Sequence, residues 1–237
     1  MRRRYATALA LLAAVGLPSS AAAAPRVQVM VFGKARLLAA PRFVRASATT
    51  VSVGRRRCAV AAATPLAALA AVRRSHGPDF RLRDFGACSR RAADSSALFV
   101  TRIGPDANRR ADGWVYKVGR RVPSIGAADP SGHRLRGGDR LTWFYCRAQS
   151  SGGCQRTLEV SPLSSAAQPL RVLVRGYDDN GRGQAVAGAT VTAGDRTALT
   201  AADGTASFPP LGAPAVQHLQ AERRGMVTSF PVVVRAG

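Results

Sequence analysis

Side chains that could do chemistry are few in this sequence and poorly spaced for catalysis. Nucleophilic catalysis requires a Ser or Cys beside a His that an acid orients. His133 follows Asp129 and Ser131 closely, but no nucleophile elbow or other local signature surrounds them. Hydrolysis of a glycosidic bond requires two poised carboxylates, and the only two glutamates are Glu159 and Glu222. We therefore expect a protein that is not an enzyme and has no catalytic residues.

The four cysteines are better placed for disulfide bonds than for a metal site. No CxxC pair occurs and the three histidines are scattered, so no metal site is expected. Four cysteines allow three pairings. Cys146 and Cys154 flank a turn-rich segment and are predicted to staple the mouth of a hairpin, which leaves Cys58 to pair with Cys88. Disulfide bonds persist in an oxidising, extracellular setting.

The aromatic residues of the segment 112–146 form the other candidate site. Trp114 and Tyr116, like Trp143 and Tyr145, are two residues apart on predicted strands, so each pair points to one face of a sheet. The residues between them, Val115 and Phe144, point to the other face. Such a ring face could be a platform for a flat ligand or a glycan, or the cover between the sheet and a helix. The cover is the preferred interpretation for most of the rings, and most clearly for Trp143, which lies in mid-strand. Trp114, at a strand start, is predicted to be the most exposed of the four rings.

Short strands and one helix are predicted to position these residues. Alternating or continuous apolar patterns predict strands at 26–32, 49–53, 80–85, 98–103, 113–118, 141–146 and 157–160. The last of these is expected to close the hairpin that starts at Cys154. A helix is predicted to begin at Thr64-Pro65, because Thr can cap free N–H groups and Pro suits the first helical position. Its apolar face carries Leu66, Leu69 and Val72, and Gly77-Pro78 is expected to end it.

The remainder of the chain has an all-β pattern. Residues 161–169 are predicted to be a linker by composition. Strands are predicted near 170–174, 189–192, 197–200, 206–208, 218–222 and 229–234, with a turn at 178–181 and a hairpin at Asp203-Gly204. The acidic run 178–181 lacks the alternating ligands of a calcium loop, so a plain turn is preferred. Short strands at this spacing predict a compact β-sandwich.

The first 23 residues are predicted to be a signal peptide. Three arginines at positions 2–4 precede an apolar run at 8–16 and a run of small residues, with cleavage expected after Ala23. No later stretch approaches the roughly 18 apolar residues of a membrane-spanning helix. We expect a secreted, extracellular protein without a transmembrane segment.

The positive charge is concentrated in the first part of the chain. The formal net charge is +22, with 25 basic and 8 acidic residues over 24–162 but only 7 and 5 over 163–237. Such a field attracts anionic wall polymers, anionic lipid or nucleic acid. An arginine-rich composition without a specific role is the preferred interpretation, since only two of the 35 basic residues are lysines and the arginines are spread evenly. No dense basic tract or nucleic-acid motif occurs, so sequence-specific nucleic-acid binding is not expected.

Three sequence blocks resemble the transcobalamin-like C-terminal domain of bacterial secreted proteins. They are GWVYKV at 113–118, GA at 126–127 and GDRLTWFY at 138–145. The resemblance covers about 26–160 and implies an α+β, β-grasp-like domain at 24–160. In eukaryotic cobalamin carriers the equivalent domain closes over the corrinoid, so the resemblance also implies corrinoid capture, with cobalamin as the ligand. The aromatic strand and the loop 119–138 supply the candidate ligand-binding residues, which are Trp114, Tyr116, Ser124 and Gly126.

The segment 170–237 is similar to carboxypeptidase-regulatory-like domains, which are small transthyretin-type β-sandwiches. The residues that carry the similarity are VAGATV at 186–191 and TAADGTA at 200–206. The similarity implies an Ig/transthyretin-like sandwich with a role in support or adhesion. The chain as a whole is thus predicted to be mainly β with one helix. Its expected function is non-enzymatic binding or adhesion at or near the cell surface. The alternatives are corrinoid capture around Trp114 and electrostatic attachment to anionic wall polymers.

Overall fold

The chain folds into two β-rich lobes with a single α-helix among the described residues. The computed structural model describes residues 23–132, 134–164, 169–210 and 216–235. The predicted signal peptide therefore lies outside the described residues except for its last position, Ala23. The predicted fold class, mainly β with one helix, is confirmed.

The N-terminal lobe contains the first nine strands of the described residues and the helix. The strands are β1 Arg26–Phe32, β2 Leu37–Arg45, β3 Thr49–Val53, β4 Arg56–Val60, β5 Phe80–Asp84, β6 Leu98–Ile103, β7 Asp106–Ala107, β8 Gly113–Val118 and β9 Arg140–Cys146. The α-helix is α1 Pro65–Arg74, and a 3₁₀-helix follows at Ala92–Ser95.

The main sheet of this lobe has the strand order β2-β1-β9-β8. Strand β1 pairs antiparallel with β2 and parallel with β9, and β9 pairs antiparallel with β8. The register places Trp114 opposite Tyr145 and Tyr116 opposite Trp143. All four rings belong to the core that faces α1, whereas Val115 and Phe144 belong to a cluster on the other side of the sheet. The predicted division of these residues between two faces is confirmed.

Helix α1 begins where the sequence predicts. The Thr64 hydroxyl accepts a hydrogen bond from the Ala67 N–H at 3.2 Å, and Pro65 occupies the first helical position. The helix ends at Arg74, slightly before Gly77-Pro78, because the Ser75 N–H and hydroxyl bond to the last free carbonyls. Every residue from Pro65 to Val72 is buried, so the alanines as well as the leucines pack against the strands.

The C-terminal lobe is a sandwich of two antiparallel sheets. Its strands are β10 Thr157–Pro162, β11 Leu170–Tyr177, β12 Gly183–Ala185, β13 Thr190–Ala193, β14 Arg196–Leu199, β15 Thr205–Phe208, β16 Val216–Glu222 and β17 Val232–Arg235. One sheet has the order β10-β11-β12, with β15 also paired to β11, and the other has the order β14-β13-β16-β17. Apolar side chains from both sheets form one core between them.

Two predicted strand pairings are wrong. Strand β10 pairs with β11 rather than closing a hairpin in the N-terminal lobe, so the predicted linker at 161–169 begins inside this strand. The Asp203-Gly204 turn joins β14 to β15, which lie in different sheets, so it is not a hairpin. Strands β2, β4, β7 and β12 were not predicted.

Both predicted disulfide bonds are present. Cys58 is bonded to Cys88, and Cys146 to Cys154. The first bond links β4 to the segment that follows β5. The second closes the turn between β9 and β10.

The outer face of the main sheet packs against the C-terminal lobe. Met30, Phe144 and Cys146 contact Val227 and Phe230 in a small apolar cluster. Backbone hydrogen bonds join 156–158 to Val227 beside this cluster. The two lobes therefore share a packed interface, and each keeps a core of its own.

Candidate functional site

The aromatic face is part of the hydrophobic core, not an exposed platform. Trp114 is only 3% exposed, so the prediction that it is the most exposed ring is wrong. Its indole N–H donates to the Asp106 carbonyl of β7 at 2.7 Å, and its ring packs edge-on against Tyr145 with centroids 5.8 Å apart. Strand β7 pairs with β6 and covers the Trp114 indole, which the sequence predicted to be partly exposed.

Tyr116 is buried on the same face. Its hydroxyl donates to the Ile125 carbonyl at 2.6 Å. Burial, together with the nearby Asp129 carboxylate, raises the pKa of Tyr116 to about 12. The phenol thus anchors the loop 119–138 to the sheet and is not a free group for catalysis.

The four candidate ligand-binding residues do not form a joint site. Trp114 and Tyr116 lie in the core, whereas Ser124 and Gly126 lie exposed on the loop that Tyr116 holds. The rings offer no surface on which a flat ligand such as a corrinoid could stack. Corrinoid capture on this face therefore has no geometric support.

The acidic candidates for catalysis are also separated from one another. Glu159 forms an ion pair with Arg120 at 2.8 Å, and Glu222 lies on β16 in the C-terminal lobe. Asp129 accepts hydrogen bonds from the Ser131 N–H and hydroxyl within a turn. His133 lies outside the described residues. Across the part of the chain that the structure covers, no three His, Cys, Asp or Glu side chains come together as metal ligands would.

A cleft between the two lobes is the best-formed candidate site. Its volume is about 780 Å³, which lies within the range of about 300–1,000 Å³ typical of ligand pockets. The turn between β1 and β2, residues 33–36, forms one wall, and the turn after β16, residues 223–226, forms the other. Phe32, Leu37 and Met226 contribute the apolar part of the lining. We call this site the interlobe cleft.

The charge of the interlobe cleft is strongly positive. The basic residues on its described lining are Lys34, Arg36, Arg147, Arg223 and Arg224. Glu222 is the one acidic residue on that lining. None of the five basic side chains forms an ion pair with any residue that the structure describes. A cleft of this composition can bind an anion without first breaking an internal salt bridge.

Both walls of the interlobe cleft are fixed by hydrogen bonds. The Gly33 N–H donates to the Arg36 carbonyl at 2.8 Å, and the Met226 N–H donates to the Arg223 carbonyl at 3.1 Å. Gly225 has a φ of +82°, a conformation that suits glycine, and this allows the second turn. The Arg147 guanidinium donates to the Lys34 carbonyl and thus stays beside the first turn.

Lys34 is the least free of the five cations, because its ammonium lies 4.6 Å from the centre of the Tyr145 ring. The four arginines carry most of the accessible charge. Guanidinium groups stay charged at all physiological pH values and present a planar fork that matches carboxylate and phosphate oxygens.

Comparisons with family models, curated proteins and solved structures found no match for this chain. The site must therefore be interpreted from its own geometry. In the described part of the chain, no helix is long and apolar enough to cross a membrane.

The sequence interpretation missed the interlobe cleft. Each wall has a local signal, since both turns combine glycine with two basic residues, at 33–36 and 223–225. Nothing local indicates that these distant turns face each other. That arrangement depends on the packing of Val227 and Phe230 against the main sheet.

Proposed function

We propose that this is a secreted, non-enzymatic binding protein that attaches to anionic polymer at or near the cell surface. The observation that carries the proposal is the interlobe cleft, which is open to solvent and is lined by arginines of both lobes that form no ion pair with a described residue. Binding through such a site retains the protein on an acidic wall polymer without any chemical step.

The global charge supports the same function. Basic residues outnumber acidic ones by 25 to 8 over 24–162, and only five of the basic side chains in the described chain form ion pairs. The surrounding field attracts polyanions towards the cleft and accelerates their encounter. The two disulfide bonds support an extracellular location, because such bonds persist in oxidising compartments.

The experiment compares binding of two triple variants to isolated cell wall that retains its anionic polymers. The cleft variant is Arg36→Gln/Arg223→Gln/Arg224→Gln. The control variant is Arg45→Gln/Arg55→Gln/Arg235→Gln, which removes the same charge from exposed positions outside the cleft. Co-sedimentation at increasing salt measures the affinity.

We expect the cleft variant to bind roughly tenfold or more weakly than the wild type, since each exposed charge contact contributes about 0.5–1 kcal/mol. The control should lose much less, and moderate salt should release the wild type because exposed contacts are screened. Cell wall that has been stripped of its anionic polymers should retain neither the wild type nor the control variant. Equal losses in the two variants, or retention on stripped wall, would contradict the proposal.

A further inference from the structure

We infer that the interlobe cleft binds a linear polyanion whose successive anionic groups contact both walls at once, so that the ligand bridges the two lobes. This inference rests on the proposed function and defines the ligand more narrowly. It predicts that chain length, and not only charge, determines the affinity.

The origin of the walls is the first argument. Arg36 and Arg147 belong to the N-terminal lobe, whereas Arg223 and Arg224 belong to a turn of the C-terminal lobe. A compact ion held by one wall leaves the arginines of the other without a partner. An extended chain of anionic groups can reach both walls at once.

Charge and size agree with this arrangement. The lining carries five basic side chains against the single carboxylate of Glu222, in a space of about 780 Å³. One phosphate group carries about 1.5–2 negative charges at neutral pH and would neutralise at most half of that excess. The five heavy atoms of orthophosphate would also fill only a small part of the space. Several anionic groups on one chain would neutralise more of the positive charge and fill more of the space.

The walls are held in place before any ligand binds. Lys117, on the outer face of β8, donates to the carbonyls of Tyr177 and Asp178, both at 3.0 Å, and thereby ties the lobes together. Val227 directly follows the 223–226 turn, and its N–H donates to the Arg156 carbonyl at 2.9 Å, which fixes the end of this wall. A preformed pair of walls lets the second contact of a long ligand form at a high effective concentration.

The chemistry of the anionic group is phosphate or carboxylate, since the guanidinium fork fits both. A polyol-phosphate polymer and an acidic polysaccharide or peptide are the two sources of such chains. The experiment separates them with two series of probes.

The probes are orthophosphate, tripolyphosphate and long-chain polyphosphate, with glutamate and polyglutamate as the carboxylate series. Binding to the full-length mature protein is measured by calorimetry at constant ionic strength, with affinities expressed per anionic group. We expect at least a tenfold increase in affinity per group from orthophosphate to long-chain polyphosphate or from glutamate to polyglutamate. The series with the steeper increase identifies the anionic group.

Single variants on the two walls test the bridge directly. Arg36→Gln and Arg224→Gln should each remove most of the advantage in affinity per anionic group that long-chain polyphosphate has over orthophosphate. The double variant should lose less than the product of the two single losses, because one broken wall already ends the bridging. Arg45→Gln is the matched control and should have little effect. All three side chains are exposed, so folding should be preserved, which circular dichroism can verify.

Two results would overturn the bridge. One is an affinity per anionic group that does not depend on chain length, and the other is an equal loss of long-chain affinity in Arg45→Gln and Arg36→Gln. If the triple cleft variant still lost wall binding in that case, the proposed function would stand without the bridge. If long polyphosphate bound in the cleft but the wall-binding comparison failed, the bridge would stand and the cell-wall role would be wrong.

Discussion

The Tyr116 hydroxyl is the polar end of a ring that otherwise packs against Trp143, with ring centroids 5.3 Å apart. Burial, helped by Asp129, raises the pKa of this hydroxyl from 10.0 to about 12. The folded protein therefore keeps the phenolic proton at pH values where the unfolded chain has released it.

Replacing Tyr116 by Phe tests this shift. In the wild type, the stability that the phenol contributes is fully present below about pH 10 and is lost as pH rises from 10 through about 12, because the folded state binds more protons in that window. Tyr116→Phe should lack this decline and should be about 1 kcal/mol less stable at neutral pH, since the bond to the Ile125 carbonyl is gone. Urea denaturation at a series of pH values measures both effects. The same alkaline decline in the variant would refute the assignment.

Single residues also show what spacing can predict. The two-residue spacing of Trp114 and Tyr116 correctly predicted that both rings share a face. It allowed a covered face but could not identify what covers Trp114, because that cover comes from Asp106, in a strand that is too short to leave a sequence pattern. The Trp143 indole N–H is likewise buried, without a hydrogen-bond partner among the described residues, and no sequence signal accounts for this.

At the scale of elements, the two disulfide bonds close loops of different length. Cys58 and Cys88 are 30 positions apart, whereas Cys146 and Cys154 are 8 apart. In the chain-entropy model, closing the longer loop stabilises the fold by about 3.5 kcal/mol and closing the shorter by about 2.5 kcal/mol. The longer loop should therefore contribute more.

Paired Cys→Ser replacements test this difference. Cys58→Ser/Cys88→Ser should lower the free energy of unfolding by about 1 kcal/mol more than Cys146→Ser/Cys154→Ser does. Chemical denaturation of the two double variants and the wild type under the same conditions gives the comparison. A larger loss for the 146–154 pair would show that loop length does not determine the contribution here.

Strand prediction succeeded where a turn glycine bounds the pattern and failed for physical reasons elsewhere. The bounds of β6 and β8 match their predictions, because Gly104 and Gly119 follow directly with positive φ and end the two strands. Strand β2 was missed because Pro41 argues against a strand, yet β2 is at the edge of its sheet, where a missing N–H is tolerated. The partner of β10 could not be predicted, since a strand pattern does not identify its neighbour.

At the scale of the whole molecule, Lys117 joins the lobes through a fully buried ammonium. Besides its two carbonyl partners, the ammonium lies 3.4 Å from Asp179 Oδ1. Burial lowers the pKa of Lys117, while the Asp179 carboxylate opposes that shift. The group thus supports the interface mainly through its hydrogen bonds.

Lys117→Met should destabilise the protein by about 2–3 kcal/mol, because it removes the ammonium donor from two carbonyls and the cation beside the partly buried Asp179 carboxylate. Thermal unfolding should then separate into two transitions as the lobes lose their coupling. The matched control is Lys34→Met, at the exposed second lysine, which should cost about 0.5 kcal/mol through its contact with the Tyr145 ring. Differential scanning calorimetry distinguishes the outcomes, and a single unshifted transition for Lys117→Met would contradict the coupling.

The sequence predicted the β-rich class, the single helix of the described chain and both disulfide bonds, but not the interlobe cleft. Composition and charge indicated a positive field that attracts anions, but gave no location for a binding site. The location requires the turns at 33–36 and 223–226 to meet, and that juxtaposition follows from contacts between Met30, Phe144 and Phe230. Such contacts join distant parts of the chain and leave no periodic pattern.

The parallel pairing of β1 with β9 determines when the N-terminal lobe can be completed during synthesis. Strand β1 can pair early with β2, its neighbour in the chain, but its other edge remains open until residues 140–144 have emerged. A nascent chain that ends before β9 therefore has an unfinished sheet, with the backbone N–H and C=O groups of β1 unpaired along one edge. The chain thus stays incompletely folded until more than half of it has been made, the condition in which a polypeptide can still be threaded through a narrow pore.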